Sequence, residues 1–484
     1  MIQFSTKNSK VLQVIRTSIG ISSLIAVQQV SAVGLILNPT STLTGIANAG
    51  STVYDHSVAA ISNNPAAMSL MNRKQVGGNL SLVIPDWSID EKWDCNSEGN
   101  CAKSNVGHVT PIPTIGLIRP MDNDFTWGIG MGAIAGAGLE YGDSWGGRGI
   151  ITENTLQVAE LINSISWRAN EQWTFGVGLG IIYGSFSQNQ DLPTIGATDL
   201  QNVGSLVSLA GDLKNCSSLG PALKPGCIND AIDDSDFDAT QLAATIDNLT
   251  DYSNGASGTE IELEGNDVGA KISLGATYEF TPGHRLGINY QYLSDFTFEG
   301  HAKIDGQLLS DEMYQNQHMS LTWAMPERLV VSGSHSVTDD LNLFWDIEKV
   351  FYHTFESTDL RIDGYPELEL GRNFKDANRY AVGGEYSLDE RLTLQMGLSY
   401  DESPVDDSDR MPDIPVDDII KTTFGAIYQV NEKLNVHGYL AVEFLGDANI
   451  EQLATIDGHK VDDSFQVSND TTIYVVGVSF GYFF

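Results

Sequence analysis

The stretch Arg391-Leu392-Thr393-Leu394-Gln395-Met396-Gly397-Leu398-Ser399-Tyr400 changes character at every residue. In an extended chain Leu392, Leu394, Met396, Leu398 and Tyr400 share one side, and Arg391, Thr393, Gln395, Gly397 and Ser399 share the other, because successive side chains of a strand point to opposite faces. Residues 433–444 repeat the pattern, with Leu434, Val436, Leu440, Val442 and Phe444 opposite Asn435, His437, Tyr439 and Glu443. Residues 173–183 and 341–348 do the same; in the former the second face is largely glycine, at Gly176, Gly178 and Gly180.

Alternation of this kind fits a soluble sandwich, with its apolar face in a core, or a membrane barrel, with its apolar face in lipid. Three features favour lipid. The alternating runs are longer than the usual soluble strand of about five or six residues. Aromatics cluster near the ends of the apolar faces (Trp173, Tyr183, Phe444, Tyr482, Phe484), where interfacial girdles form. The connections also alternate in length. Short turns are expected near 121–124, 168–172, 281–283, 336–340, 388–390 and 430–432. Long loops are expected near 85–106, 139–158, 187–261, 299–324, 354–375, 403–415 and 447–470. Six turns and seven loops join fourteen strands, an even number with tight turns on one side. The expectation is an all-β, fourteen-stranded antiparallel transmembrane barrel ending at Phe484.

Composition agrees. The 484 residues carry 63 acids against 26 bases, a net charge of -37, which excludes a basic nucleic-acid footprint. The acids gather in loops, at Asp230, Asp233, Asp234, Asp236 and Asp238 and again around Asp406, Asp407 and Asp409. Such acidity serves solubility, or it binds divalent cations at a lipopolysaccharide surface. Lys7, Lys10 and Arg16 precede a short apolar run at 18–27, and Val30-Ser31-Ala32 closes it, so residues 1–32 read as a secretory signal and Val33 as the mature start. No later run reaches the some 18 apolar residues of a spanning helix. Cys95/Cys101 and Cys216/Cys227 are two close pairs in an exported chain and read as two loop disulfides; neither has zinc-site spacing. Residues 94–101 form an acidic loop without the ligand ladder of an EF-hand, so no metal is expected.

Residues 33–74 do not alternate and are rich in glycine and alanine. Composition leaves two readings open: a plug folded into the barrel, or a disordered periplasmic tail. The barrel then occupies 75–484.

These residues resemble the FadL family of outer-membrane transporters for long-chain fatty acids and other hydrophobic compounds (OMPP1/FadL/TodX). The likeness rests on Val33-Gly34-Leu35-Ile36-Leu37-Asn38, on Asn64-Pro65-Ala66, on Phe374-Lys375-Asp376-Ala377-Asn378-Arg379-Tyr380, on Asp401-Glu402-Ser403-Pro404-Val405 with Arg410 and Ile414-Pro415, and on Gly481-Tyr482-Phe483-Phe484. It covers nearly the whole mature chain. The resemblance implies a fourteen-stranded barrel with an N-terminal hatch in the lumen. It implies capture of a hydrophobic ligand between extracellular loops, a lumen pocket beside Val33, Gly34 and Leu35, and lateral exit at a kinked third strand, without a cofactor.

Here the third strand should run over about 125–139, and Ala135, Gly136, Ala137 and Gly138 are the expected kink, since glycine in a strand marks a bend or a close approach. Packing against the hatch would explain the same glycines. The family's fatty-acid carriers place basic side chains near the carboxylate; the corresponding positions here hold Gln188, Gln190 and Leu370, and the nearest base is Arg372. Arg372 is either that cation or a surface-loop arginine, and a neutral hydrocarbon or aromatic ligand is the alternative to a fatty acid. Lys375, Asp376 and Arg379 suit an ion-pair network at a strand end. The partners expected are a hydrophobic small molecule, lipopolysaccharide or other outer-membrane lipid, and the outer-membrane assembly machinery, with no nucleic acid. Two other classes are compatible with an exported barrel: a porin for polar solutes and a lipid-modifying enzyme. The chain has no HExxH, and its G-x-S-x-G matches at 142–146 and 477–481 fall in an expected long loop and in the terminal strand rather than at a strand-to-helix elbow, so no enzymatic site is expected.

Overall fold

The structure is a computed structural model that describes residues 41–484 except 55, 92–101, 105, 122–123, 143–147, 149–150, 193–258, 306–315, 365–366, 416, 453–454, 457–458 and 461–464. Fourteen antiparallel strands close into a barrel. They are β1 (Gln75–Glu91), β2 (Thr110–Pro120), β3 (Phe125–Glu140), β4 (Glu153–Arg168), β5 (Trp173–Leu192) and β6 (Thr259–Thr281). Next come β7 (His284–Leu293 and Phe296–Asp305), β8 (Asn316–Trp323 and Glu327–Ser336), β9 (Leu341–Phe351) and β10 (Ala377–Ser387). The last are β11 (Leu392–Asp401), β12 (Ile419–Asn431), β13 (Leu434–Leu445) and β14 (Phe465–Phe483). The ring shuts where β1 pairs with β14, from Gln75↔Phe483 to Glu91↔Val467. β7 and β8 are each broken once, at Ser294–Asp295 and at Ala324–Pro326; Asp295 bridges the breaks by accepting from the Met325 amide at 3.0 Å.

Exposure decides between barrel and sandwich. Met396 is 60% exposed and Leu179 61%, whereas Gln395 on the other face of β11 is 4% exposed. The apolar face looks out and the polar face is buried, the reverse of a soluble sheet and the requirement of a barrel in lipid. Aromatics mark both rims of the apolar band: Phe125, Trp167 and Trp173 at the turn end, Tyr380, Tyr400 and Phe444 at the loop end, all exposed. At the turn end Trp173 stacks on Phe175 with centroids 5.8 Å apart and lies 4.6 Å from Tyr278.

The six tight turns lie where the alternation breaks, and Gly283 takes the positive φ of 80° that the β6–β7 turn needs. The long loops are shorter than expected from sequence. β1 continues to Glu91, β4 starts at Glu153, β5 continues to Leu192, β6 starts at Thr259, and β7 and β8 extend to Asp305 and from Asn316. The loop expected at 354–375 contains a hairpin, Ser357–Ile362 with Leu368–Gly371, which pairs with β8 at Leu321↔Leu360. Above the bilayer the outward face is polar, as at Glu264, Glu299, His301 and His318. The two-residue contrast therefore inverts while the ladder continues, with Leu263, Phe298, Ala302 and Met319 now facing inward.

Candidate functional site

Residues 41–71 fill the lower lumen. Ser41 caps a short 3-10 helix (Thr42–Ile46) in a capping box with Thr44. Asn64 caps a second one (Pro65–Leu70): its Oδ1 accepts from the Ala66 amide at 3.1 Å, Pro65 occupies the first turn, and its Nδ2 donates to the Thr52 carbonyl at 2.7 Å. The NPA stretch is thus a fully buried corner of the segment, with Asn64, Ala66 and Ala67 each 0% exposed. The inward glycines of the strands make room for it. A Cβ on Gly176 would lie 2.2 Å from the Ala66 amide nitrogen, and one on Gly397 would lie 2.2 Å from the Ile46 carbonyl carbon.

Polar side chains of the wall fasten the segment. Asp346 accepts from the Gly50 and Ser51 amides (2.6 and 3.1 Å) and from the Ser51 hydroxyl (2.5 Å). Tyr54 donates to Glu385 at 2.7 Å, Gln291 donates to the Ser62 carbonyl at 3.1 Å, and Arg379 donates to the Ala47 carbonyl. Arg379 also pairs with Asp401 (3.0 Å) and Glu348 (3.7 Å), and Glu348 pairs with Arg328 (2.5 Å). Of the two neighbours read with it from sequence, Lys375 pairs with Asp406, and Asp376 takes Lys349 (3.2 Å) and His353 (2.7 Å).

The wall itself is incomplete in one place. β2 and β3 pair from Pro120↔Thr126 to Ile115↔Met131. Beyond that, Thr110–Thr114 and Gly132–Gly138 make no ladder with each other among the described residues. The strands rejoin at the Gly107↔Leu139 bridge, where the Glu140 amide donates to the Val106 carbonyl at 2.8 Å. Two causes are visible. Pro111 and Pro113 remove amide donors from β2, which suits an edge. In β3, Ile134 is an extra residue: Ala133 pairs with Ala159 and Ala135 with Val158. Around this bulge the alternation of burial is lost, and Ala133, Ile134, Ala135, Gly136, Gly138 and Leu139 are all buried. The irregularity therefore sits one to four residues before the stretch named from sequence. Ala135, Gly136, Ala137 and Gly138 follow it in regular register with Val158, Gln157, Leu156 and Thr155.

The opening is a window between two cavities. Outside, a cavity of about 350 Å³ is lined by Pro113, Ala159, Tyr183 and Ser185. Inside, one of about 40 Å³ is lined by Val58, Ile61, Ser62 and Glu160. Thr114, Ile115, Met131, Gly132 and Ala133 line both.

Above the inner segment the lumen is apolar. Ile134, Leu156, Phe186, Phe298, Trp323 and Phe355 belong to one buried cluster, with Phe186 and Phe298 stacked at 5.9 Å and the Trp323 and Phe355 rings tilted with centroids 5.2 Å apart. Arg372 caps this cluster and is 2% exposed, not the surface arginine that sequence left open. Its guanidinium donates to Asp413 through two nitrogens (2.8 and 2.7 Å) and to Thr358 Oγ1 (2.8 Å), and lies 5.3 Å from the Trp323 ring centroid. Its charge is therefore already matched. Beside it Asn154 donates to the Asp413 carbonyl at 3.1 Å and Tyr141 to the Pro412 carbonyl at 2.7 Å; burial, then the Asp413 charge, push the Tyr141 phenol far up, so it stays a donor.

Val33, Gly34, Leu35 and the four cysteines, Cys95, Cys101, Cys216 and Cys227, lie outside the described residues. Sequence reading missed Pro111 and Pro113, although two prolines inside a strand already signal an edge. It also missed Lys271, an inward lysine that pairs with Glu160 at 2.8 Å directly behind the window. A lone lysine between glycines and serines in a barrel strand was its only signal.

Residues 23–484 match the family described as outer membrane protein transport protein (OMPP1/FadL/TodX). The chain is 24% identical to the long-chain fatty acid transport protein of Escherichia coli O6:H1, over 86% of this chain and 87% of that one. Among solved structures it superposes on a Pseudomonas aeruginosa FadL homologue with a TM-score of 0.71 at 18% identity, covering 93% of this chain and 99% of the other. It also superposes on the Pseudomonas putida toluene transporter TodX with a TM-score of 0.63 at 18% identity, covering 94% and 99%.

Proposed function

The chain belongs to the OMPP1/FadL/TodX family of outer-membrane transport proteins, and from that premise we propose that it lets long hydrophobic molecules pass without an energy source from the outer face into the lipid, through the β2–β3 window. It is an outer-membrane β-barrel for hydrophobic compounds. The observation that carries the route is that one set of rim residues lines both the inner and the outer cavity. A molecule leaving there passes from an apolar lumen to acyl chains without entering bulk water, so no apolar area has to be returned to water at about 25 cal/mol per Å². Long-chain fatty acids are the ligand named for one relative and toluene for another; the apolar cluster beneath Arg372 suits either tail.

In this reading residues 33–74 are the hatch and 75–484 the barrel, with Asn64-Pro65-Ala66 as the hatch corner. Val33, Gly34 and Leu35 meet the ligand in the lumen, Arg372 closes the apolar chamber from above, and Ala135, Gly136, Ala137 and Gly138 form the upper rim of the window. Passage requires no bond to be made or broken, so no catalytic group is assigned. The acidic loops face lipopolysaccharide, the cysteine pairs brace those loops, and the terminal Phe484 addresses the assembly machinery.

The window is tested by filling it. A Cβ on Gly132 would already lie 2.8 Å from Thr114 Cγ2, whereas one on Gly438 meets nothing within 4 Å. Gly132→Trp should cut uptake of a long-chain ligand by about tenfold, the change that corresponds to ~1.4 kcal/mol, while Gly438→Trp leaves it intact. Equal uptake by both folded variants rules out the window.

A further inference from the structure

Lys271 projects inward from β6 and is 3% exposed. Its Nζ donates to Glu160 Oε2 at 2.8 Å and to Ser62 Oγ at 2.9 Å. Glu160 and Ser62 both line the cavity on the inner side of the window. An ammonium has three donors, and the third finds no acceptor among the described residues. A charged donor at the mouth of a passage for apolar molecules thus has one hydrogen to spare.

The charge around it narrows what that hydrogen can hold. Glu160 neutralises Lys271, and each other buried lysine or arginine among the described residues also has a carboxylate within 4 Å. Asp346 and Glu385, by contrast, are buried acids held by hydrogen bonds from the inner segment, with no ion pair among the described residues. The described lumen therefore has no positive charge left over. An anionic head at Lys271 would sit beside Glu160 and place two carboxylates against one ammonium in a buried site, which is unfavourable for like charges. An uncharged oxygen brings no such penalty and accepts a charge-assisted hydrogen bond, stronger than a neutral one.

We propose that Lys271 is a ligand-binding residue at the inner mouth of the window, where its free N–H holds an uncharged oxygen of the ligand's head, an ester or protonated-acid carbonyl or a hydroxyl, while the tail extends toward the window rim. The inference rests on the passage reading and names its cargo: amphiphiles carried in uncharged form, with a fatty acid entering as the neutral acid.

The test is equilibrium binding to the full-length barrel in detergent with three probes of equal length: methyl hexadecanoate, hexadecanoate at a pH where it is ionised, and hexadecane. Lys271→Met alone would leave Glu160 unpaired, so Lys271→Met/Glu160→Gln accompanies it. In the unaltered protein the ester should bind more tightly than the ionised acid. The double variant should weaken ester binding by about tenfold, the size of a lost hydrogen bond to a charged group, and leave hexadecane unchanged. Unaltered ester binding in the double variant would mean that the spare hydrogen serves only water, and equal loss of all three probes would mean a structural role; either overturns the proposal. So would tighter binding of the ionised acid than of the ester in the unaltered protein. Because these readouts are binding, they stand apart from uptake: Gly132→Trp with undiminished uptake would sink the window and leave the Lys271 result to be read separately.

Discussion

At the scale of single residues, glycine and buried charge do the work of joining the inner segment to the barrel. Gly176 admits the Pro65–Ala66 backbone, and Gly275 admits the Asn64 side chain, whose Oδ1 would lie 1.7 Å from an added Cβ. Gly176→Val should therefore destabilise the folded state by about 1–3 kcal/mol, the usual result of overpacking a filled interior. Urea unfolding in detergent, with protease susceptibility of residues 41–71 as a second readout, measures it; an unchanged midpoint would mean that the segment yields at no cost. Arg379 shows what sequence can and cannot carry at this scale. Its place among Phe374–Tyr380 suggested an ion pair, and Asp401 and Glu348 are there. Its bond to the Ala47 carbonyl spans 332 positions of chain and leaves no mark on any local pattern. Lys271 and Arg372 failed to show their burial for a related reason: the face on which a polar residue lies is legible, but its distance from solvent depends on what fills the barrel.

At the scale of elements, most of the strands could be read because lipid imposes a strict contrast between neighbours. The tight turns could be read because the contrast stops there. The strand extensions beyond the bilayer were missed because near Glu264 and His301 the contrast is inverted, with a polar outward face and an apolar inward one at Leu263, Phe298 and Ala302. The third strand was placed within a residue of its observed end, yet its bulge was expected at the glycines and occurs at Ile134. A bulge needs an extra residue and is favoured beside an unpaired edge; that edge comes from Pro111 and Pro113 on the neighbouring strand, so β3 alone could not reveal it. Removing the extra residue tests what it does. Deletion of Ile134 should let Ala135 follow Ala133 in one register, extend the β2–β3 contact and close the window. The barrel should remain heat-modifiable on gels while uptake falls by about tenfold, ~1.4 kcal/mol in barrier. Undiminished uptake would show that the bulge is only a packing irregularity.

At the scale of the whole molecule, an oily exterior, a filled lower lumen and an apolar upper lumen leave the side of the barrel as the proposed way out. A filled lumen should not conduct ions freely: single-channel recordings should show no large steady conductance, and an open-pore current would favour a porin. The lateral course makes the sharpest demand on where a cargo molecule touches the wall. A long-chain probe bearing a photoactivated group on its tail, allowed to enter reconstituted barrels and then irradiated, reports those contacts by mass spectrometry. A sideways exit places the label on the window rim, at Ile115, Met131 and Ala159, and on Ile61 behind it. Label absent from that rim but present at the turn end of the lumen, around Met71 and Gln75, would mean that the cargo leaves downward past the inner segment instead.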